Sequence, residues 1–127
     1  MITLSDYLRH HGDAPDYVHQ NALDLLSRVN ALLLLLPFDE ARKPRVTSGW
    51  RPADYNKTVP NAAPNSKHIT GQAVDIADPD GVLDEYLLDN PELLAKHGLF
   101  AEHPSATKSW AHLQSVAPRS GRRHFYP

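Results

Sequence analysis

Residues 66–77 read SKHITGQAVDIA, and the fold that the sequence predicts is organised around this stretch. Its second half, residues 72–77, alternates between two faces, with Val74 and Ile76 on one face and Asp75 on the other. A period of two is typical of a β-strand that has one buried face. The turn sequence DPDG follows directly and ends the strand. The stretch therefore predicts a short strand that carries a carboxylate.

The chain before this stretch is predicted to begin with helices. Ser5 or Asp6 can cap a short helix that ends around Gly12, and Asp16 can cap a longer one that Pro37 stops. Apolar residues recur along the longer helix at alternating steps of four and three: Val18, Ala22, Leu25, Val29, Leu32 and Leu36. Such a stripe packs on a core, so we assign residues 1–44 the role of a helical scaffold.

The remaining pattern predicts short strands and helices on both sides of residues 72–77. Strands are expected at 45–50, 99–102 and 110–114, and helices at 82–88 and 91–96. Helices followed by a small, mainly antiparallel sheet with inserted helices predict an α+β fold. We expect one domain, 1–127, in which 45–116 carries the candidate site and 117–127 is a basic tail. The tail is either a solvated charge run or a contact for an anionic polymer.

Composition excludes several classes of protein. The chain has 127 residues, no cysteine and a formal charge of -2, so disulfides and thiolate catalysis are excluded and no basic footprint for nucleic acid is present. The longest apolar run, 32–36, is too short to span a membrane. The N-terminus lacks the pattern of a signal peptide. We therefore expect a monomer made in the cytoplasm, whose action elsewhere would need another route of export.

Three residues are candidate metal ligands. Asp75 has apolar neighbours and needs a partner, because burying a lone carboxylate is unfavourable. His68 precedes its strand, and His112 lies in the predicted strand 110–114. Two imidazoles and one carboxylate can hold Zn²⁺ and leave the fourth position of a tetrahedral site open for water. By residue type alone, a lone histidine on a strand is most often a hydrogen-bonded core residue.

These residues belong to a larger frame of motifs. The chain reads SGWR at 48–51, S-x-H-x-x-G-x-A-x-D at 66–75 and W-x-H at 110–112. This frame resembles the zinc D-alanyl-D-alanine peptidases, which include carboxypeptidases and endopeptidases of bacterial cell walls and several phage endolysins. Their fold is shared with the hedgehog signalling domain. The resemblance extends over residues 46–114, about half the chain.

The resemblance implies a role for each matching residue. His68, Asp75 and His112 would be the zinc ligands, and peptidoglycan peptides the substrate. Arg51 would bind the substrate carbonyl or carboxylate and stabilise the oxyanion. The alternative for Arg51 is a surface salt bridge with Asp54.

Three further residues are expected to support the ligands or the substrate. Ser66 and Gln72 lie beside the ligands in sequence, although a serine before a metal-binding histidine can also be a turn residue. Trp110 either packs in the core or lines the substrate cleft.

The general base is where the chain departs from the family. Many relatives carry an acidic residue three positions before the last histidine, but this chain has Ser109 there. Glu102, at the end of the preceding predicted strand, is the candidate base, and His103 is a rival that would stabilise the transition state.

We expect a zinc peptidase acting on stem peptides or cross-links, which would reach the wall by another pathway, as phage lysis enzymes do. If Glu102 is only a surface carboxylate, the protein would instead be a weakly active or inactive zinc-containing binding module. A metal-free structural protein whose histidines merely pack is the third alternative.

Overall fold

The computed structural model describes residues 1–9 and 11–127. Over these residues the chain forms six α-helices, five strands and one short 3₁₀ turn. The helices are α1 (Leu4–Leu8), α2 (Asp16–Leu34), α3 (Asp39–Arg42), α4 (Ala53–Asn56), α5 (Val82–Asp89) and α6 (Pro91–Lys96). The strands are β1 (Val46–Ser48), β2 (Ala73–Ala77), β3 (Phe100–Glu102), β4 (Trp110–Gln114) and β5 (His124–Phe125), and the 3₁₀ turn is Pro104–Ala106.

The strands form one mixed sheet in the order β1-β2-β4-β3-β5. The pairs β1–β2, β2–β4 and β3–β4 are antiparallel, and β3–β5 is parallel. The prediction of an α+β fold is confirmed. The sheet is mixed because its last strand, β5, runs parallel to β3.

One face of the sheet packs on the helices. The stripe predicted for α2 is buried as expected, and Leu36 is buried just beyond the end of the helix. The alternate residues of the two central strands join the same core: Val74, Ile76, Ala111 and Leu113. Because neighbouring residues of a strand point to opposite faces, Asp75 and His112 lie on the face turned away from this core.

The first helix differs from its prediction. It is capped by Thr3, whose hydroxyl accepts a hydrogen bond from the Asp6 N–H at 3.1 Å. The Asp6 carboxylate accepts from the Thr3 N–H at 3.0 Å, which completes a capping box. Asp6 therefore acts inside the first turn and is not the cap. The hydroxyl of buried Tyr7 donates to the Ala73 carbonyl at 2.7 Å, which ties α1 to β2.

Part of the basic tail forms the last strand of the sheet. β5 pairs with β3 through residues such as Glu102 and Phe125. Arg123 anchors it, because its guanidinium donates to the Leu99 carbonyl at 2.9 Å and lies 4.2 Å from the centre of the Phe100 ring. At least one arginine of the tail therefore has a structural role.

Across the described residues, no helix has both the length and the apolar character that a membrane span requires.

Candidate metal centre

A row of polar residues crosses four neighbouring strands. Ser48 of β1 lies opposite Asp75 of β2, and Asp75 lies opposite His112 of β4. The β3–β4 register pairs Ala101 with Leu113, and continuing it by one residue brings Glu102 opposite His112. Residues opposite one another in a sheet share a face. The polar face of the sheet therefore collects residues that are far apart in sequence.

The three predicted ligands converge on one point. Asp75 Oδ1 lies 3.3 Å from His68 Nε2 and 2.8 Å from His112 Nδ1. One ligand atom from each of the three residues lies within 4.8 Å of the others, and all three residues are buried. This arrangement can hold a metal ion.

The loop before β2 carries His68 into the site. The Ser66 hydroxyl accepts from the His68 N–H at 3.2 Å, and the His68 carbonyl accepts from the Arg51 N–H at 3.0 Å. Gly71 has φ +78°, and a Cβ there would lie 2.8 Å from the Val18 carbonyl oxygen. Ser66 thus stabilises the turn that presents His68, and Gly71 allows that turn to lie against α2.

A backbone carbonyl determines which nitrogen of His68 faces the site. His68 Nδ1 lies 2.8 Å from the Gly49 carbonyl oxygen, which can only accept a hydrogen bond. Nδ1 therefore carries a hydrogen, and Nε2 is the nitrogen that faces Asp75 and can bind a metal ion when the ring is neutral. Gly49 can be replaced by no larger residue without rearrangement, since a Cβ would lie 2.0 Å from the Tyr7 carbonyl oxygen.

The charges of the site favour a bound cation. His68 Nε2 lies 3.3 Å from Asp75 Oδ1, and a nitrogen and a carboxylate oxygen this close need a proton or a metal ion between them. Burial alone would raise the pKa of Asp75, but the charge of His68 and a hydrogen bond from His112 outweigh it and hold that pKa well below its usual range. Burial lowers the pKa of His112, and its hydrogen bond to Asp75 more than offsets this, so the pKa is raised. Protons on the two histidines can therefore supply the positive charge that a bound cation would bring.

Arg51 contacts the outer oxygen of the same carboxylate. Its Nη2 lies 3.5 Å from Asp75 Oδ2, its Nε donates to the Ser48 hydroxyl at 2.8 Å, and its Nη1 donates to Asn56 Oδ1 at 3.3 Å. The alternative pairing of Arg51 with Asp54 is not formed. The Asp54 carboxylate is instead fully exposed and lies 3.9 Å from Lys57 Nζ. Arg51 thus neutralises one oxygen of Asp75 and leaves Oδ1 for the cation.

Glu102 lies beside the ligand atoms. Its Oε1 is 3.8 Å from His112 Nδ1, and its side chain is 19% exposed. Burial raises its pKa, the charge of Asp75 adds to this, and the charge of His112 opposes it. The Phe125 ring lies 6.1 Å from the His112 ring and is turned edge-on to it. Glu102 is therefore a carboxylate at the edge of the site with access to solvent.

Two other candidates have partners elsewhere. His103 Nδ1 lies 2.9 Å from the Ser105 hydroxyl, and its ring stacks on Tyr126 with 4.7 Å between centroids. Gln72 Oε1 accepts from the Thr70 hydroxyl at 2.6 Å, which links two positions of the loop. The side-chain bonds of both residues are thus made outside the group of three ligands.

Trp110 occupies the start of β4, opposite Ala77, and is half-buried. The alternation of the strand places it on the same face as His112.

Some partners of the site residues were not anticipated from the sequence. Gly49 and Gln114 contact the ligands His68 and His112, and Ser48 and Asn56 accept hydrogen bonds from Arg51. Gln114 could have been found, because it follows His112 by two residues on a predicted strand and so shares its face. The role of Gly49 depends on a backbone carbonyl, for which residue type gives no signal.

No family model, curated protein or solved structure matches this chain. The assignment of a function therefore rests on the motifs of the sequence and on the geometry of the site.

Proposed function

We propose that the chain is a zinc-dependent peptidase that hydrolyses peptide bonds of bacterial cell-wall peptidoglycan, in the stem peptide or in a cross-link. The observation that carries this proposal is the position of Glu102, whose carboxylate lies 3.8 Å from His112 Nδ1. Three converging ligands alone would also suit a structural cation. A solvent-accessible carboxylate beside them is what general-base hydrolysis needs. The motif frame supports the substrate class and a fold like that of the zinc D-alanyl-D-alanine peptidases.

The donor set fits zinc. Two imidazole nitrogens and one carboxylate oxygen match the three protein ligands typical of catalytic zinc, where a fourth position stays open. With Asp75 ionised and both histidines neutral, a divalent ion leaves the centre with a net positive charge. A positive centre suits the binding of a peptide carbonyl oxygen.

In the proposed hydrolysis, Glu102 and Arg51 have different roles. When bound, zinc would supply Lewis acidity that polarises a peptide carbonyl and lowers the pKa of water. Glu102 is placed to accept the proton of the attacking water and to return it to the leaving amine. Its raised pKa brings it nearer to the pH at which such exchange is efficient. Arg51 places a positive charge beside Asp75 that can stabilise developing negative charge on the substrate.

The test separates catalysis from metal binding. Glu102→Gln should keep its zinc, because Glu102 is not one of the three ligands, and should release muropeptides from purified sacculi about 100- to 10,000-fold more slowly. The matched control is Glu92→Gln, which changes an exposed carboxylate on α6. Zinc content and muropeptide release, followed by mass spectrometry, would be measured on both. Near-normal release by Glu102→Gln would remove Glu102 from the mechanism.

A second function is favoured by one observation. Ser109 stands where relatives often carry an acidic residue. This substitution suits an inactive zinc-containing module that binds peptidoglycan without cutting it. Co-sedimentation of the wild-type protein with sacculi, without release of peptides, would support the module and exclude the peptidase.

A further inference from the structure

The amide of Gln114 lies directly behind His112, on the side of the ring away from Asp75. Gln114 Oε1 is 2.8 Å from His112 Nε2, and Gln114 Nε2 donates to the Val116 carbonyl oxygen at 2.7 Å. Gln114 is itself buried. Its side chain therefore joins a candidate metal ligand to the backbone just after β4.

The Val116 carbonyl determines the orientation of this amide. A carbonyl oxygen can only accept, so the NH₂ group of Gln114 must point towards Val116 and its Oε1 towards His112. Because Oε1 can only accept as well, His112 Nε2 must carry a hydrogen. Nδ1 is the nitrogen that points to Asp75, at 2.8 Å. A neutral imidazole has a single N–H, so with Nε2 protonated a metal ion would take the place of the Nδ1 proton.

We propose that Gln114 is a positioning residue of the metal centre, which holds the His112 ring so that Nδ1, and not Nε2, binds the metal. His68 is held in the opposite sense by the Gly49 carbonyl and presents Nε2. The two histidines thus bind through different ring nitrogens, each fixed by an acceptor on its outer side. Such outer partners raise the basicity of the ligand and limit rotation of the ring.

This role distinguishes two glutamines that are both close to ligands in sequence. Gln72 lies three residues before Asp75, yet its amide oxygen accepts from the Thr70 hydroxyl. Gln114 contacts a ligand directly. The inference requires a metal at the three-residue site but no peptidase activity, so it can fail or succeed independently of the proposed function.

The experiment compares Gln114→Leu with Gln72→Leu, each close in volume to the original side chain. Zn²⁺ affinity would be measured on both and on the wild type by competition with a chromogenic chelator. Gln114→Leu should bind Zn²⁺ about 10- to 100-fold more weakly, because the His112 ring loses its outer acceptor. Gln72→Leu should stay within about twofold of the wild type, since its bond lies within the loop. Equal affinities for all three proteins would overturn the proposal.

A second measurement does not depend on the folding of the variant. Imidazole ¹⁵N spectra of the wild type with Zn²⁺ should show coordination through Nδ1 for His112 and through Nε2 for His68. Coordination of both residues through Nε2 would contradict the proposal, whatever the behaviour of Gln114→Leu.

Discussion

Replacing Asp84 with asparagine should stabilise the protein at neutral and alkaline pH. Asp84 lies in the first turn of α5, is 2% exposed, and accepts a hydrogen bond from the Thr107 hydroxyl at 2.5 Å. The neighbouring Asp78 carboxylate already accepts from the backbone N–H of Leu83 and of Asp84. Burial raises the pKa of Asp84 to about 7; the charges of Asp78 and Glu102 add to this, and the bond from Thr107 partly opposes it.

The sign and size of the effect follow from this pKa. In the unfolded chain the same carboxyl has its ordinary pKa of 3.8. Between about pH 4 and pH 7 the folded protein therefore binds more protons than the unfolded chain. Stability is therefore lost as pH rises through this window. Each pKa unit corresponds to about 1.4 kcal/mol, so the three units set a ceiling of about 4 kcal/mol. Relaxation around the charge reduces this, and we expect Asp84→Asn to gain about 2 kcal/mol at pH 8 and nothing at pH 4.

Urea denaturation at pH 4, 5.5, 7 and 8 would test this in the presence of a chelator. Asparagine keeps an acceptor for Thr107, so the bond is retained while the charge is removed. Titration of His112 changes the free energy of unfolding of the wild type and of Asp84→Asn alike, so it largely cancels in the difference between them. The control is Asp80→Asn, which changes an exposed carboxylate and should show little dependence on pH. A difference between Asp84→Asn and wild type that stays flat from pH 4 to pH 8 would refute the reasoning.

Three further predictions concern the metal centre. Zn²⁺ at 100 times its Kd should stabilise the folded protein by about 2.7 kcal/mol, seen as a rise in Tm that a chelator reverses; an unchanged Tm would argue against a cation site. Gly49→Ala should lower the free energy of unfolding, measured by urea denaturation, by about 3 kcal/mol and should weaken Zn²⁺ binding. The reason is that its Cβ would lie 2.0 Å from the Tyr7 carbonyl oxygen. Gly12→Ala, whose Cβ would have no neighbour within 4 Å, should change neither. Arg51→Leu should lower kcat more than Zn²⁺ affinity, since Asp75 Oδ1 keeps its place; a loss confined to metal affinity would exclude a role with substrate.

The parts of the fold that local pattern encodes could be predicted from the sequence. The four-and-three stripe of α2 and the alternation of β2 depend only on neighbouring residues, and the structure has the helix and the strand at these places. The one difference is that β2 is buried on both faces, because the site covers the face that carries Asp75. The cap of α1 was placed wrongly, because Thr3, Ser5 and Asp6 can all accept a hydrogen bond from a helix N–H. β5 was missed since a strand of two residues has no period, and its place beside β3 depends on distant contacts.

The site shows the same division between local and distant information. His68, Asp75 and His112 stand out by residue type and spacing, and the structure brings them together. The partners behind them depend on strand register and backbone position. Gln72 is predicted from the sequence to support the ligands, whereas in the structure Gln114 is the glutamine that contacts a ligand.

The polar row across β1, β2, β4 and β3 has a consequence for folding. A slip of one residue between β2 and β4 would turn either Asp75 or His112 into the apolar layer, where no metal could reach both. A slip of one residue would therefore destroy the site, and binding of an ion would deplete forms that are misaligned in this way. An ion that contacts three side chains would in this way act as a proofreader of strand alignment across the centre of the sheet.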